Sequence, residues 1–387
     1  MNPVRIGIIG VGNMGRNHLA TLQSLEEARV TALGDVRSTR LDPWRDEYRT
    51  FADSQSLLES GEVDAVIIAT PHYEHPRIAS AALARGLHVI SEKPLAVDIA
   101  EARRVEELHR TRYAHLKFAV MFQVRTSPVY RRMKQLIADG ELGQISRLTW
   151  IATDWFRTWS YYASGGWRAT WKGEGGGLLL NQCPHHLDLI QWLMDGELPH
   201  RVTAIASIGK THPIEVEDEI SAVLEYESGV IGHYIATTGE APGTNRLEIA
   251  GDRGLLICQD GQLRFRRTHS SVRELRETSP DMFPRIECSD QEVELPSDPQ
   301  GTGVILRNFI AAIRTGEPLI APAAEGVKAL ELGNAMMMAG LTRQPVDLPL
   351  DGAAFKAFHA DMNRKYAGRK TLETRRASGD LSASFTR

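Results

Sequence analysis

Residues 4–15 read VRIGIIGVGNMG, an apolar run that passes directly into three spaced glycines. The run from Val4 to Ile9 has the short, continuous apolar character of a buried β-strand. A helical pattern follows it, from Asn17 to Leu25. The opening of the chain therefore predicts a strand, a glycine turn and a helix, which together form the first unit of a doubly wound α/β sheet.

The three glycines of this turn, Gly10, Gly12 and Gly15, match the pattern G-x-G-x-x-G. In that pattern one glycine permits the tight turn, one lets the backbone approach a pyrophosphate, and one packs the helix against the strand. Asp35 follows 20 positions after Gly15, at the end of the next predicted strand, 30–33. A carboxylate there accepts hydrogen bonds from ribose hydroxyls and repels a 2′-phosphate. The segment predicts a dinucleotide site that prefers NAD, with a chance glycine turn as the alternative.

The same turn contains Asn13 and Met14, which we predict to bind the cofactor together with the glycines. Two arginines, Arg37 and Arg40, follow the acidic residue. Arg37 is placed to receive a 2′-phosphate, and its alternative interpretation is a solvated loop residue. Asp35 makes NAD the predicted cofactor, and the arginines leave NADP as the alternative.

Strand and helix signals continue to alternate along the first third of the chain. Apolar strand runs lie at 63–69, 87–90 and 118–122, and helical patterns at 79–84, 100–110 and 128–138. Beyond Gly143 the pattern changes to a series of alternating strands around one glycine-flanked helix at about 177–194. These patterns predict a Rossmann domain with a doubly wound parallel sheet, followed by an α+β domain with a large sheet.

The predicted domain boundaries follow this change of pattern. Residues 1–124 form the Rossmann domain, and residues 125–368 form a domain for substrate binding and oligomerisation. Residues 266–300 are charged and rich in proline, with weak strand signals, and are interpreted as a surface excursion. The polar residues 369–387 are predicted to be a flexible tail.

Composition excludes several classes of protein. A net charge of -4 without a basic run argues against nucleic acid or an anionic membrane as a partner. No segment approaches the roughly 20 apolar residues of a membrane span, and the N-terminal run lacks a signal-peptide cleavage pattern. The 3 cysteines have neither zinc-site spacing nor the number for a disulfide framework, which predicts a reducing, cytoplasmic setting and no metal. Cys183 is interpreted as a small hydrophobe on a helix.

Three further stretches accompany the glycine turn. They are Ala69-Thr-Pro-His-Tyr-Glu-His75, Ser91-Glu-Lys-Pro94, and the run from Gly175 to Asp188, GGGLLLNQCPHHLD. In this order and at this separation they resemble the Gfo/Idh/MocA oxidoreductases, from about residue 4 to about residue 345. The resemblance implies that the second sheet is open-faced and mainly antiparallel, and that NAD(P) lies in the cleft between the domains. It further implies that the protein oxidises or reduces sugars, inositols and related carbinols, as a homodimer or homotetramer.

By this resemblance, Thr70, Pro71 and His75 lie beside the nicotinamide ribose, and Glu92 and Lys93 contact cofactor and substrate. From the residues alone, an ammonium group at the carboxyl end of a parallel strand lies in the crevice where ligands bind. An isolated lysine at such a place is often a surface residue, and a surface histidine at a helix N-terminus is the alternative interpretation of His75.

Oxidation of a carbinol requires a base for the hydroxyl proton, and histidine is the usual choice because its pKa lies near neutrality. His185 occupies the base position of the family, and Lys93 would stabilise the developing alkoxide. His186 is the competing candidate. It points about 100° away on a helix, so we interpret it as a packing residue.

The chain departs from the family at Asn181, where an aspartate commonly stands four residues before the histidine. We predict that Asn181 shares a helix face with His185 and contributes to catalysis and substrate binding. An amide bonds hydroxyl groups but cannot ionise, so it cannot stabilise a protonated histidine as a carboxylate would. Asp188, three residues after His185, either compensates in part or has a structural role. The run Asn-Gln-Cys-Pro-His also resembles a branch of the family that oxidises glycosides at C3.

A loop rich in aromatic residues, 154–172, precedes the glycine-rich segment. Aromatic faces interleaved with arginine and tyrosine suit sugars, which present apolar C–H faces and ring hydroxyls. The alternative for each aromatic residue is a core or oligomer contact. The residues that we predict to bind substrate here are Arg157, Tyr161, Trp167 and Arg168.

The predicted function is hydride transfer between a ring carbinol of a sugar, glycoside or inositol and NAD(P). One alternative is redox-neutral, NAD-dependent cleavage of a glycoside through a transient 3-keto sugar. A second is a dinucleotide-binding sensor without catalysis, and a third is reduction of a non-sugar carbonyl or imine with NADPH.

Overall fold

The computed structural model describes residues 2–373, and its first domain is a parallel sheet with helices on both faces. Its strands are β1 (Val4–Ile9), β2 (Ala28–Gly34), β3 (Arg49–Phe51), β4 (Ala65–Ile68), β5 (His88–Ser91) and β6 (Phe118–Val120). Its helices are α1 (Asn13–Leu22), α2 (Ser38–Leu41), α3 (Ser54–Leu58), α4 (His75–Leu83) and α5 (Ile99–Arg112). The order β3-β2-β1-β4-β5-β6 reverses direction between β1 and β4, so the crevice for a ligand opens at the carboxyl ends of these two strands.

The second domain is a nine-stranded sheet in the order β14-β13-β12-β11-β7-β10-β9-β8-β15. Its strands are β7 (Ile145–Ala152), β8 (Arg201–Ile208), β9 (Glu217–Glu225), β10 (Ile231–Thr237), β11 (Asn245–Gly251), β12 (Gly254–Gln259), β13 (Gln262–Thr268), β14 (Cys288–Glu292) and β15 (Val346–Asp347). The remaining helices are α6 (Pro128–Ala138), α7 (Trp159–Ala163), α8 (Leu178–Asn181), α9 (Pro184–Leu193), α10 (Val272–Thr278), α11 (Thr302–Thr315), α12 (Ala323–Thr342) and α13 (Gly352–Tyr366). All neighbouring strands are antiparallel except β7 and β10.

The alternating burial along the strands of this sheet explains why one face is covered and the other is open. Strand β8 alternates exposed and buried residues along most of its length, and its buried side packs against the long apolar helix α12. The open face carries partly exposed apolar side chains, among them Ile205, Val223, Ile231 and Ile235. The predicted fold class is confirmed, whereas the predicted homodimer or homotetramer stays a prediction.

Three details differ from the sequence-based expectations. The helix expected over 177–194 is two helices, because Pro184 lacks an N–H group and begins α9 rather than continuing α8. The expected excursion at 266–300 contains the end of β13, helix α10 and strand β14, and the two strands extend the sheet at one edge. Leu263 and Phe265 of β13 are buried, and exposed arginines alternate with them. The high charge of the segment therefore obscured the strand pattern in the sequence.

Helix α11 returns to the first domain. Ile305, Leu306, Phe309 and Ile310 are buried in the same apolar cluster as the core of β1 and α1. The predicted second-domain range of 125–368 is therefore wrong for this helix, because its apolar face completes the Rossmann core. The division near residue 124 stays a prediction, and most of the predicted tail, residues 374–387, lies outside the described residues.

A buried ion pair ties the segment after β6 to helix α9. Nε and Nη2 of Arg125 donate to Asp188 at 2.7 and 2.6 Å, and Nη2 also donates to Glu325 at 3.1 Å. Both members of the Arg125–Asp188 pair are almost completely buried. We expect Arg125→Met to lower the free energy of unfolding by about 3–5 kcal/mol, because it leaves the carboxylate of Asp188 buried without its partner.

Urea unfolding of the single variant and of Arg125→Met/Asp188→Leu tests this prediction. The double variant should recover much of the loss, since it removes the stranded charge as well. A single variant as stable as the wild type would contradict the role of the pair. No helix among residues 2–373 is long and apolar enough to cross a membrane.

Candidate active site

The glycine turn between β1 and α1 is shaped by two different requirements. Gly10 has φ +96°, and a Cβ there would lie 2.4 Å from the carbonyl oxygen of Ala69. A Cβ at Gly15 would lie 1.9 Å from the carbonyl oxygen of Gly10. Around Gly12, by contrast, the described chain places only Nη1 of Arg40 within 4 Å of a Cβ, at 3.7 Å. The chain itself therefore requires Gly10 and Gly15, whereas the space at Gly12 is available to a ligand.

Helix α1 begins directly at this open space. Gly12 is its N-cap, so no side chain caps the helix, and its first turn contains no acidic residue. The first N–H groups of a helix and its dipole form a natural site for a phosphate. The turn from Gly10 to Gly15, with Asn13 and Met14 in the first turn of α1, fits the pyrophosphate of a dinucleotide.

Asp35 fixes the far side of the same turn. Its carboxylate accepts the main-chain N–H of Val11 at 2.9 Å and that of Arg37 at 2.9 Å, and it pairs with Nη1 of Arg40 at 3.1 Å. Both arginines are exposed, and Arg40 places its guanidinium at the carboxylate. Asp35 thus lies at the end of β2 beside the glycine turn, where the ribose hydroxyls of NAD would be recognised.

The variant Gly12→Ala tests the interpretation of this space. We expect the variant to fold normally, because the new Cβ meets only ordinary contact distances within the described chain. NADH affinity should fall by on the order of tenfold or more, which corresponds to about 1.4 kcal/mol, because the methyl group occupies the approach path of the pyrophosphate. Fluorescence titration with NADH measures this, with Gly303→Ala in helix α11 as the control. Unchanged affinity in Gly12→Ala would contradict the placement.

His75 links two loops of the first domain. Its side chain is fully buried, with Nδ1 2.7 Å from the carbonyl oxygen of Pro94 and Nε2 2.8 Å from that of Thr70. The predicted contact of His75 with the nicotinamide ribose stays a prediction, whereas the alternative of a surface histidine is wrong because the side chain is buried. His75 joins the loops that follow β4 and β5. Oγ1 of Thr70 is buried without a hydrogen-bond partner among residues 2–373, and it fits a ligand hydroxyl next to Pro71.

Glu92 is held by a histidine that the sequence analysis did not identify. Nε2 of His18, on helix α1, donates to Oε1 of Glu92 at 2.8 Å in a buried pair. Burial raises the pKa of Glu92, but the hydrogen bond from His18 and the charge of Lys93 outweigh it, so the pKa lies below its ordinary value. The pair connects the glycine-turn helix with the loop that carries Lys93. The predicted contact of Glu92 with cofactor or substrate stays a prediction.

Lys93 reaches from the first domain into the second. Its Nζ donates to the main-chain carbonyl of Asn181, the last residue of α8, at 2.6 Å. Burial lowers the pKa of Lys93, and the neighbouring carboxylates of Glu92 and Glu174 partly oppose this effect. An ammonium group has three N–H donors, so two remain for a ligand beside this contact.

His185, in the first turn of α9, is a buried polar residue whose imidazole lacks hydrogen bonds within residues 2–373. Only 2% of the residue is exposed, and neither ring nitrogen has a hydrogen-bond partner in the described part of the chain. Burial and the charge of Lys93 hold its pKa well below the ordinary value. A buried imidazole without hydrogen bonds is unfavourable, and such groups in native proteins commonly mark a ligand site. Asn181 lies at the end of α8, so the expectation that it shares a helix face with His185 is wrong.

Three residues near His185 in the sequence have structural roles. His186 stacks on Trp150 with ring centres 4.3 Å apart and lies 3.0 Å from the hydroxyl of Tyr234, and burial lowers its pKa to about 3. Asp188 belongs to the ion pair with Arg125, which gives it a structural role rather than the alternative of partial compensation for Asn181. The thiol of Cys183 is buried, which raises its pKa to about 12 and makes it a poor nucleophile.

The four predicted residues of the aromatic loop converge on the same place. Nη1 of Arg168 donates to the hydroxyl of Tyr161 at 2.7 Å, and that hydroxyl donates to Oδ1 of Asn181 at 3.2 Å. The Arg168 guanidinium lies 4.5 Å from the ring centre of Tyr161 and 4.7 Å from that of Trp167. The Arg157 guanidinium lies 5.0 Å from the ring centre of Tyr161. The loop therefore forms a polar and aromatic wall beside Asn181 and Lys93.

Glu174 is the second site residue that the sequence analysis missed. Only 1% of it is exposed, and its Oε1 accepts a close hydrogen bond from Nδ2 of Asn181. Oε2 accepts the N–H of Ala169 at 2.6 Å, and the guanidinium of Arg168 lies 3.9 Å from the carboxylate. Burial raises the pKa of Glu174, while Arg168 and these hydrogen bonds oppose the rise. Its position between Gly173 and Gly175 was the only signal in the sequence.

Two models of one protein family match this chain. Residues 4–120 match the oxidoreductase family with an NAD-binding Rossmann fold, and residues 130–257 match the GFO/IDH/MocA C-terminal domain. The myo-inositol 2-dehydrogenase of Thermotoga maritima is 26% identical over 66% of this chain and 75% of its own length. The scyllo-inositol 2-dehydrogenase (NAD(+)) of Bacillus subtilis is 24% identical over 90% of this chain and 98% of its own length.

A solved structure extends the similarity to both domains. The WlbA dehydrogenase from Bordetella pertussis, in complex with NADH and UDP-GlcNAcA, superposes with a TM-score of 0.75 and 25% identity. The match covers 90% of this chain and 100% of that protein. The predictions of NAD as cofactor and of dehydrogenase activity are confirmed. The chain belongs to the GFO/IDH/MocA family and is an NAD-dependent dehydrogenase.

Proposed function

We propose that the protein oxidises a ring hydroxyl of a sugar, glycoside or inositol, with His185 as the base and Lys93 as the group that holds the reacting oxygen. The observation that supports this most is the buried imidazole of His185, which has no partner among residues 2–373 and lies within the electrostatic reach of the Lys93 ammonium. NAD, when bound, supplies the hydride acceptor. The names of the inositol dehydrogenases and the sugar-nucleotide ligand of the WlbA structure support a ring carbinol as the substrate.

The chemistry assigned to the chain follows from the charges of the two side chains. A hydroxyl between His185 and Lys93 would accept an N–H from the ammonium group and donate its proton to the neutral imidazole. The positive charge of Lys93 stabilises the oxygen as the proton leaves. Burial keeps His185 neutral, so it is ready to accept that proton.

The wall beside this pair binds the rest of the ring. Oδ1 of Asn181 accepts from a hydroxyl group, whereas the guanidinium groups of Arg157 and Arg168 donate. The rings of Tyr161 and Trp167 present flat apolar faces, which match the C–H faces of a pyranose or cyclitol. Donors, acceptors and aromatic faces on one wall thus favour a polyhydroxylated ring over a small open-chain substrate.

The pH dependence of kcat/KM tests the assigned protonation states. Turnover requires neutral His185 and protonated Lys93, so the rate falls below the pKa of the histidine and above that of the lysine. Both pKa values are lowered, from ordinary values of 6.5 and 10.5. We expect the acidic limb to lie below pH 6.5 and the alkaline limb below pH 10.5. An acidic limb above pH 6.5 would contradict His185 as the base in this environment.

A substrate panel tests the proposed function. Purified protein with NAD or NADP is given inositols, free hexoses and glucosides, and NADH formation and aglycone release are recorded together. NADH formation on at least one cyclitol or pyranoside, with NAD preferred to NADP, is the expected result. Aglycone release without NADH would instead favour redox-neutral glycoside cleavage. Absence of turnover in a protein that binds NADH would favour a sensor.

A further inference from the structure

The amide of Asn181 contacts three polar groups of the site. Its nitrogen, Nδ2, faces the carboxylate of Glu174. Its oxygen, Oδ1, accepts from the hydroxyl of Tyr161 at 3.2 Å and from Nε2 of Gln182 at 3.3 Å. Its main-chain carbonyl accepts from Nζ of Lys93 at 2.6 Å. The position of this one residue therefore influences both the ring-binding wall and the ammonium group.

Glu174 determines which end of the amide faces which neighbour. A carboxylate accepts hydrogen bonds and cannot donate them when it is ionised, so it selects the NH₂ end of the amide. Burial raises the pKa of Glu174, whereas the guanidinium of Arg168 and the N–H of Ala169 oppose this and favour the ionised form. The oxygen of Asn181 is thereby left for hydroxyl donors at the wall.

We propose that Glu174 is a positioning residue of the active site, which orients the Asn181 amide with its oxygen toward Tyr161 and the substrate ring, and thereby fixes the carbonyl that anchors Lys93. This inference rests on the proposed function of Lys93 and Asn181. In this chain the carboxylate and the hydrogen-bonding residue on α8 form a pair, in which Glu174 supplies the charge and Asn181 supplies the acceptor.

Exchanging the two side-chain chemistries tests this pairing. Glu174→Gln can turn an NH₂ group toward the NH₂ group of Asn181, which forces one of the amides to reverse. Asn181→Asp places two buried carboxyl groups against each other, although it restores the residue common in the family. In the double variant Glu174→Gln/Asn181→Asp, the glutamine donates to the aspartate, which still presents an oxygen to Tyr161.

We expect each single variant to lower kcat by about 10- to 100-fold, with NADH affinity unchanged, because small displacements of catalytic groups reduce the rate strongly. The double variant should recover to within about threefold of the wild type, as coupled neighbours do in a double-mutant cycle. Glu331→Gln is the control, since it changes a buried carboxylate that binds Arg103 and the N–H of Leu350. That control should keep the kcat of the wild type.

The outcomes separate this inference from the proposed function. Wild-type turnover on the panel decides the proposed function, and the ratios of the variants to the wild type decide the role of Glu174. Wild-type kcat in Glu174→Gln, or no recovery in the double variant, would overturn the inference. The same cycle measured by thermal unfolding needs no substrate. Recovery of the melting temperature in the double variant supports the paired orientation, and additive losses would contradict it.

Discussion

Replacing His185 by alanine is expected to lower kcat by about 10²–10⁴-fold, the usual contribution of a positioned general base. The imidazole of His185 is the group assigned to accept the hydroxyl proton. His186, the adjacent candidate, is engaged by Trp150 and Tyr234 in the core. The loss should appear in kcat and in kcat/KM together, because the proton is accepted in the transition state.

The variant should stay folded and bind NADH normally. His185 makes no hydrogen bond within residues 2–373, so its removal strands no partner. The control is His269→Ala, whose ring pairs with Glu287 at the surface. Steady-state kinetics and NADH titration on both variants check the prediction. A kcat of His185→Ala within about tenfold of the wild type would assign the proton to another group.

Replacing Lys93 by methionine is expected to lower kcat by about 10²–10³-fold, the range found when one donor to a developing oxyanion is removed. Methionine keeps much of the apolar stem, so the change removes chiefly the charge and the contact with the Asn181 carbonyl. Arginine should not restore the rate, because its planar fork does not match a point donor.

Kinetics of Lys93→Met, Lys93→Arg and the control Lys172→Met decide this prediction. Lys172 is exposed at the end of the aromatic loop 154–172, so it controls for a general change of charge near the site. NADH affinity should change far less than kcat in the two Lys93 variants, and Lys172→Met should keep the kcat of the wild type. If Lys93→Arg were fully active, the ammonium group would be replaceable by any cation, and the assigned contact with the reacting oxygen would be wrong.

The fold could be predicted wherever local patterns carry the information. The glycine turn at 10–15 and the apolar strands identify the Rossmann sheet, because tight turns and buried strands have strong local signatures. Strands β13 and β14 were missed, since arginines and acidic residues occupy their exposed faces. Helix α11 was assigned to the wrong domain, because its amphipathic pattern shows that it packs but not what it packs against.

Part of the site could also be predicted, because some of its residues lie in local motifs. Lys93, Asn181 and His185 lie in motifs that the family resemblance carries, and the structure brings Lys93 and Asn181 into direct contact. The pairing of His18 with Glu92 joins residues 74 positions apart, and no spacing rule shows such a contact. Glu174 was missed because its meaning depends on how the glycine-rich segment folds back onto Asn181. Glu92 and Glu174 are both buried carboxylates, and only the structure shows the partners that hold them, His18 and Asn181.

Following an isotope from the substrate ring to the cofactor tests whether hydride moves directly between them. The most active compound of the panel, deuterated at its ring carbons, is incubated with wild-type protein and NAD, and the reduced cofactor is analysed by mass spectrometry. We expect NADH that carries one deuterium on its nicotinamide ring, formed more slowly than from the unlabelled compound. Unlabelled NADH would contradict direct hydride transfer from a ring carbinol, and consumption of the compound without net NADH would contradict its net oxidation.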